Sequence, residues 1–121
     1  MLVGPGIDAE PNDPFPEGVW EIVSAPLEQV WIGASSAERP EVSRGKLLFS
    51  AKESIFKTWY PVAGHELGFE QVEVTVKPEE GTFTFRLSLG PDDPDSRRLS
   101  ESTGRWTVPD EVLVSALAAP R

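Results

Sequence analysis

The sequence predicts an α+β fold in which an antiparallel sheet packs against one long helix and shorter helices. Two observations carry this prediction. Between Arg44 and Pro61, apolar residues recur with the period of an α-helix. From Phe69 onwards the period changes to two, and apolar residues alternate with polar ones in short segments separated by turn residues. We therefore expect residues 1–121 to form a single domain.

Composition and charge narrow the possible functions. The chain has 121 residues, of which 39% are hydrophobic and 26% charged, as in ordinary globular proteins. Its formal net charge of −9 argues against nucleic acid as a partner, because the phosphates would repel it. It has no cysteine, which excludes disulfides and cysteine metal sites. We also expect no membrane span, since no apolar run approaches the required ~20 residues, and we expect a cytoplasmic protein without a signal peptide.

The first element is the segment GIDAE, which is expected to leave a strand in extended form. Side chains alternate between the two faces of a strand, so Asp8 and Glu10 should point to the same face. The proline-rich, acidic stretch Pro11–Pro16 that follows is predicted to be a loop. This arrangement predicts a pair of carboxylates at the end of the first strand.

Two short helical pieces are predicted next, at Val19–Val23 and Leu27–Ile32, with Trp20 and Trp31 as bulky anchors. They can pack against the long helix, or they can present a partly exposed apolar ridge to a partner. The sequence leaves both interpretations open. The small, polar residues of Gly33–Ser43 then predict a connector.

The long helix places charges where an amphipathic helix normally has none. It is predicted to end at Pro61, and Lys52 falls inside its apolar arc, Glu53 at the edge and Lys57 just beyond. One interpretation is a lysine that extends its ammonium to solvent, beside an ordinary Glu–Lys pair worth only about 0.3–0.5 kcal/mol. The other is a functional site. The apolar arc comprises Leu48, Phe49, Ala51, Ile55, Phe56, Trp59 and Tyr60.

Two hairpins are predicted in the second half of the chain. Alternating segments around Val72–Val76 and Phe83–Leu89 are joined by the turn KPEEG, and Arg105–Val108 and Val112–Ala118 are joined by PDE. The only histidine, His65, lies in a loop and has no partners for a catalytic triad.

Two motifs resemble those of a known enzyme family. The stretch FSAKESIFKTWYPVAGHELGFEQVEV resembles the signature of surfactin- and enterobactin-type 4'-phosphopantetheinyl transferases, a helix with a (F/W)xxKE(S/A)xxK core followed by an LGFE-like segment. GIDAEP matches their second signature, G(I/V)D-x-E. The motifs agree in order and spacing from about Gly6 to Val76. The resemblance implies the family's α+β fold and the transfer of 4'-phosphopantetheine from coenzyme A to a serine of an acyl or peptidyl carrier protein, as in nonribosomal peptide and polyketide synthesis.

The resemblance also implies a metal site. Asp8, Glu10 and Glu53 match the family's ligands for Mg²⁺ or Mn²⁺, and Glu53 is its usual candidate for activating the serine hydroxyl. The residues themselves support a cation, because three converging carboxylates would otherwise repel one another. Mg²⁺ typically takes one or two carboxylates together with substrate phosphates.

The motif lysines are expected to bind coenzyme A, the phosphopantetheine donor. Lys52 and Lys57 match family residues that contact its phosphates and offset charge on the leaving 3',5'-ADP, which makes Lys57 a catalytic candidate beside Glu53. Lys46 is a further basic residue for the same ligand. The chain offers few basic residues besides these near its motifs, so we expect it to bind coenzyme A poorly on its own.

The resemblance covers only part of a full-length family member. Such members have a preceding half with a basic surface for coenzyme A, so we expect this chain to correspond to the C-terminal catalytic half and to need that N-terminal half or a second subunit. One alternative is a one-domain holo-carrier-protein synthase with its site between identical subunits. Another is a non-catalytic remnant or binding module that keeps the fold.

Overall fold

A computed structural model of the chain describes residues 6–13, 28, 43–63, 68, 71–77, 79–87 and 102–117. Helix α1 spans Arg44–Ala63, and the strands form one antiparallel sheet, so the predicted α+β class is confirmed. The strands are β1 (Gly6–Pro11), β2 (Val72–Lys77), β3 (Thr82–Leu87), β4 (Gly104–Thr107) and β5 (Val112–Leu117). No helical segment within these ranges combines the length and apolarity that a membrane crossing requires.

The sheet has the strand order β1-β5-β4-β3-β2. Both predicted hairpins are present, β2 with β3 and β4 with β5, and their boundaries differ from the prediction by one or two residues where they are described. β1 lies antiparallel beside β5, with Asp8 opposite Ser115 and Glu10 opposite Leu113. The first and last described strands are therefore neighbours.

Strand alternation sorts the side chains between a buried and an exposed face, as the period of two predicts. Helix α1 packs mainly on β1 and β5 and also contacts β2. The buried apolar core comprises Leu47, Leu48, Ala51, Ile55, Trp59, Val72, Val74, Phe83, Phe85, Leu87, Trp106, Leu113 and Leu117.

The start of α1 is tied to the end of β1. The Ser43 hydroxyl accepts the N–H of Lys46 at 3.4 Å and its carbonyl accepts the N–H of Leu47 at 2.9 Å, as expected for an N-cap. The N–H of Ser43 donates to Oδ1 of Asn12 at 2.9 Å. The first turn of the helix is thus held next to the residues that follow β1.

The predicted end of the helix at Pro61 is wrong, because α1 continues to Ala63. Proline fixes φ near the helical value and lacks only its own N–H, so it removes one hydrogen bond, to the carbonyl of Lys57. This loss falls in the last turn of the helix, where few further bonds depend on it. The shorter helices predicted around Trp20 and Trp31 lie outside the described residues, apart from Glu28, which is helical.

A seam of small hydroxyl side chains brings α1 unusually close to β1 and β5. The N–H of Gly6 donates to Oγ1 of Thr58 at 3.1 Å. The Thr58 hydroxyl in turn lies 2.9 Å from the carbonyl oxygen of Ser54 and 3.0 Å from that of Leu117, and its proton can be donated to either. A Cβ at Gly6 would overlap the Ser54 carbonyl oxygen and the Thr58 hydroxyl, so only glycine fits here.

One turn before Ser54, the same seam joins α1 to β5. The hydroxyls of Ser50 and Ser115 are 2.7 Å apart, and Ser115 can also donate to the Ser50 carbonyl at 2.8 Å. Both residues are buried. Because Ser115 lies opposite Asp8 in the sheet, the seam fixes the distance between the helix and the carboxylates of β1.

Candidate active site

Asp8 is a buried carboxylate that is only half satisfied. It lies on the helix-facing side of β1 and is 5% exposed. Nζ of Lys57 contacts its Oδ1 at 3.1 Å and donates to the carbonyl of Ile7 at 2.9 Å. The second oxygen, Oδ2, is buried without a hydrogen-bond partner. An unpartnered buried carboxylate oxygen is costly and calls for a further positive group.

Glu10 lies on the same face of β1, as the alternation predicted. Burial raises the pKa of Glu10 above its ordinary 4.5, and a side-chain contact with Asp8 and the negative charge of Asp8 raise it further. Two carboxylates can share such a hydrogen bond only when one of them carries a proton, so two deprotonated carboxylates here would repel each other. The charge of Lys46 opposes the rise. The two carboxylates are therefore in direct electrostatic conflict.

Glu53 joins this group from the helix. Burial raises its pKa above 4.5, the charge of Asp8 raises it further, and Lys57 lowers it. Glu53 likewise contributes to the raised pKa of Glu10. The structure thus places all three predicted metal ligands within mutual electrostatic range, two from β1 and one from α1.

The three carboxylates are not spaced as the complete ligand set of a bound metal ion. Across the ranges that the structure describes, no three Asp, Glu, His or Cys side chains are already spaced to hold a metal ion. The donor set nevertheless fits a hard divalent cation, which takes carboxylate oxygens and, for Mg²⁺, commonly only one or two from protein. A cation would also satisfy Oδ2 of Asp8. The metal assignment to Asp8, Glu10 and Glu53 stays a prediction.

Two of the predicted coenzyme A-binding lysines border the carboxylates. Nζ of Lys46 contacts Oδ1 of Asp13 at 2.9 Å and lies 3.5 Å from the carbonyl of Pro11. Lys57 contacts Asp8, and its side chain is 49% exposed. Lys57 can therefore reach an anionic ligand at the surface, whereas Lys46 would first have to leave Asp13.

Lys52 is placed differently. It is completely buried, and its Nζ lies 2.8 Å from Oε1 of Glu28, which is itself buried. The phosphate contact predicted for Lys52 would require this pair to open. Sequence reasoning did not single out Glu28, although an acidic residue within the apolar stretch APLEQVWI was a usable signal.

Comparison with known proteins identifies the family. Residues 4–109 match the model of the 4'-phosphopantetheinyl transferase superfamily, so the chain belongs to this superfamily. The chain is 49% identical over 113 residues to the 4'-phosphopantetheinyl transferase Svp of Streptomyces mobaraensis, covering 93% of this chain and 46% of that protein. It is 35% identical over 121 residues to the 4'-phosphopantetheinyl transferase Npt of Nocardia iowensis, covering 93% of this chain and 53% of that protein.

The predicted family is thereby confirmed, while the surfactin- and enterobactin-type subtype stays a prediction. The chain spans about half the length of these curated relatives. Its fold also resembles the crystal structure of Thermotoga maritima holo-[acyl-carrier-protein] synthase, with a TM-score of 0.68 and 19% identity over all of this chain and 65% of that one. At this identity the likeness concerns the fold alone.

Proposed function

We propose that the chain is the C-terminal catalytic half of a 4'-phosphopantetheinyl transferase. The reaction moves 4'-phosphopantetheine from coenzyme A to a serine of an acyl or peptidyl carrier protein and releases 3',5'-ADP. The observation that carries the proposal is the buried, unpartnered oxygen of Asp8, in a carboxylate whose charge acts on both Glu10 and Glu53, in a chain of this superfamily.

The reaction must overcome the negative charge of a pyrophosphate. Mg²⁺ or Mn²⁺, when bound at Asp8, Glu10 and Glu53, would neutralise part of that charge and orient the phosphates. Asp8 offers its unpartnered Oδ2 for this purpose, and Glu10 lies beside it. Coenzyme A would tighten metal binding, because its pyrophosphate oxygens would complete the coordination shell.

Glu53 is the proposed general base. It would take the proton of the serine hydroxyl while the serine oxygen bonds to the phosphorus that carries pantetheine. The bond from this phosphorus to the oxygen of 3',5'-ADP breaks, and the electron pair leaves with the nucleotide. A pKa raised by burial and by Asp8 moves Glu53 towards the working pH, which improves a general base.

Lys57 would stabilise the leaving group. Its half-exposed ammonium is held at the edge of the carboxylate cluster by Asp8 and the carbonyl of Ile7. A preorganised cation aimed at developing negative charge is often a large part of catalysis. Lys46 is proposed to contact the same ligand from the first turn of α1.

The chain is proposed to need a partner for full activity. Its net charge of −9 opposes the approach of coenzyme A and of an acidic carrier protein. A basic N-terminal half, as proposed for the full-length protein, would supply the missing cations. The proposed setting is the cytoplasm, where coenzyme A is available.

The proposal is tested by incubating the purified chain with coenzyme A, Mg²⁺ and a carrier protein, and measuring the mass of the carrier. We expect little modification by the chain alone and modification of the serine once the preceding half of a full-length relative is added as a separate polypeptide. The same mixture with Glu53→Gln is the control. Complete modification by the chain alone would instead support a site shared between identical subunits. A folded chain that is inactive in every mixture would support a non-catalytic binding module.

A further inference from the structure

Glu28 and Lys52 form an ion pair that is sealed inside the protein. Their side chains are 1% and 0% exposed, and Oε1 of Glu28 lies 2.8 Å from Nζ of Lys52. The other carboxylate oxygen of Glu28 accepts the N–H of Val74 at 2.6 Å. A charge can be held in such a place only when it is paired and hydrogen-bonded, and this pair meets both conditions.

The pair joins three separate parts of the chain. Val74 belongs to β2, which is the last strand of the described sheet on the side away from β1. Glu28 belongs to the segment between β1 and α1, and Lys52 to the middle of α1. The carboxylate therefore caps a backbone N–H at the edge of the sheet and holds the helix to it. An uncapped N–H in this buried place would cost stability.

Lys52 directly precedes Glu53 in α1. Successive side chains on an α-helix point about 100° apart, so a helix that turns Lys52 towards Glu28 and β2 turns Glu53 in a different direction. Lys57, one turn after Glu53 on the same face of α1, contacts Oδ1 of Asp8 at 3.1 Å, so this face of the helix lies against Asp8. The ion pair and the carboxylate cluster lie against adjacent faces of the same helix and are thus geometrically linked.

We propose that Glu28 and Lys52 are positioning residues, which lock the rotation of α1 so that Glu53 faces Asp8 on β1. In this view Lys52 acts through Glu28 and does not contact the phosphates of coenzyme A. The role of the pair in the fold is independent of the proposed function, whereas the orientation of Glu53 matters only if that function holds.

The two possible roles of Lys52 predict opposite behaviour of substitutions. Removing one member of a buried ion pair leaves an uncompensated charge, whereas replacing both members by uncharged residues is often tolerated. Lys52→Met should therefore be destabilising, and Glu28→Gln added to it should restore stability. The amide introduced by Glu28→Gln also keeps an oxygen that can accept the N–H of Val74. A lysine that only binds phosphate would show neither the loss nor the rescue.

The experiment compares urea unfolding of the parent chain, Lys52→Met, Glu28→Gln and the double variant, with Lys77→Met as a control that removes an exposed lysine from β2. We expect Lys52→Met to lower the unfolding midpoint by about 1–2 M, the double variant to recover at least half of this, and the control to stay within ~0.3 M of the parent. If Lys52→Met fails to fold, a folded double variant is the expected rescue.

Binding of Mn²⁺, followed by the loss of the electron paramagnetic resonance signal of the free ion, tests the positioning role. Groups that orient metal ligands typically change affinity by about 10–100-fold when replaced, so we expect Lys52→Met to weaken Mn²⁺ binding about tenfold and the double variant to restore it. The proposal is overturned if Lys52→Met keeps both stability and Mn²⁺ affinity and loses only coenzyme A affinity. It is also overturned if the double variant is no more stable than Lys52→Met. If the parent binds no Mn²⁺, the proposed metal site and the positioning role fail together, while the urea series still decides whether the pair stabilises the fold.

Discussion

Gly6→Ala should both destabilise the chain and disturb the carboxylate cluster. Gly6 lies two residues before Asp8, where the backbone of β1 packs directly against the helix. An added Cβ would overlap the backbone carbonyl oxygen of Ser54 and the hydroxyl of Thr58. The Ser54 oxygen belongs to the helix backbone and cannot rotate away, so β1 must shift outwards.

The size of the effect follows from two contributions. Forcing an extra methyl into a closely packed contact costs about 1–3 kcal/mol. The outward shift also weakens the buried hydrogen bond from the Gly6 N–H to Thr58, which leaves polar groups unsatisfied at a cost of about 1–3 kcal/mol. The combined cost is about 2–6 kcal/mol. With a urea m-value of about 2 kcal/mol/M, the unfolding midpoint should fall by about 1–3 M.

Urea unfolding followed by tryptophan fluorescence measures this change, because the chain has four tryptophans. Ala9→Ser is a matched control, since it adds one heavy atom to the exposed face of the same strand. Mn²⁺ affinity of the folded Gly6→Ala chain should fall as well, because Asp8 moves away from Glu53. Equal midpoints for Gly6→Ala and Ala9→Ser would refute the close approach of β1 to α1.

The remaining predictions concern the site and its partners. Glu53→Gln in an active full-length context should abolish transfer. In urea, the metal-free variant should be as stable as the parent or up to about 1 kcal/mol more stable, because the substitution removes charge repulsion in a partly solvated place. A large loss of stability would contradict this. Because the pKa values of Glu10 and Glu53 are raised above 4.5, the folded chain holds more protons than the unfolded chain just above that pH. The stability of the metal-free chain should therefore fall as pH rises through this window, whereas its Mn²⁺ affinity should rise. A pH titration of unfolding stability and of Mn²⁺ affinity checks both signs. Replacing Trp20 or Trp31, where exposed, should raise KM for the carrier protein and leave KM for coenzyme A unchanged. The chain alone should bind labelled coenzyme A weakly, and tight binding in a titration would contradict the proposed need for a second half.

Local patterns in the sequence predicted the long helix, both hairpins and part of the site. The period of two placed Asp8 and Glu10 on one face of β1, because alternation is a property of any strand. The helical period placed Lys52 inside the apolar arc, and it is fully buried. Leu47 was absent from the predicted arc although it is 1% exposed, because it lies about 40° beyond Ala51 around the helix.

The contacts between distant segments could not be predicted in the same way. The partner of Lys52 is Glu28, which lies far from it in the chain, and only folding brings the two together. The close approach of β1 to α1 does have a counterpart in the sequence. Ser50, Ser54 and Thr58 form a stripe of small hydroxyl residues at intervals of four on one face of the helix. Such a stripe indicates close packing of a helix but does not identify the strand that it contacts.

The segment that we predicted to dock the carrier protein lies outside the described residues, except for Glu28. This residue is buried and bound to Lys52 and β2, so it is not part of an exposed ridge. The prediction for Trp20 and Trp31 therefore stays a prediction.

The most direct test of the account is a Mn²⁺ titration of the chain and of three single variants, Asp8→Asn, Glu10→Gln and Glu53→Gln, each with and without coenzyme A. If the three carboxylates share one cation, each variant should weaken Mn²⁺ binding at least about tenfold, and coenzyme A should tighten binding to the parent most. Full Mn²⁺ affinity in any folded variant would show that its carboxylate is not a ligand. Unchanged affinity in all three would contradict the metal site itself.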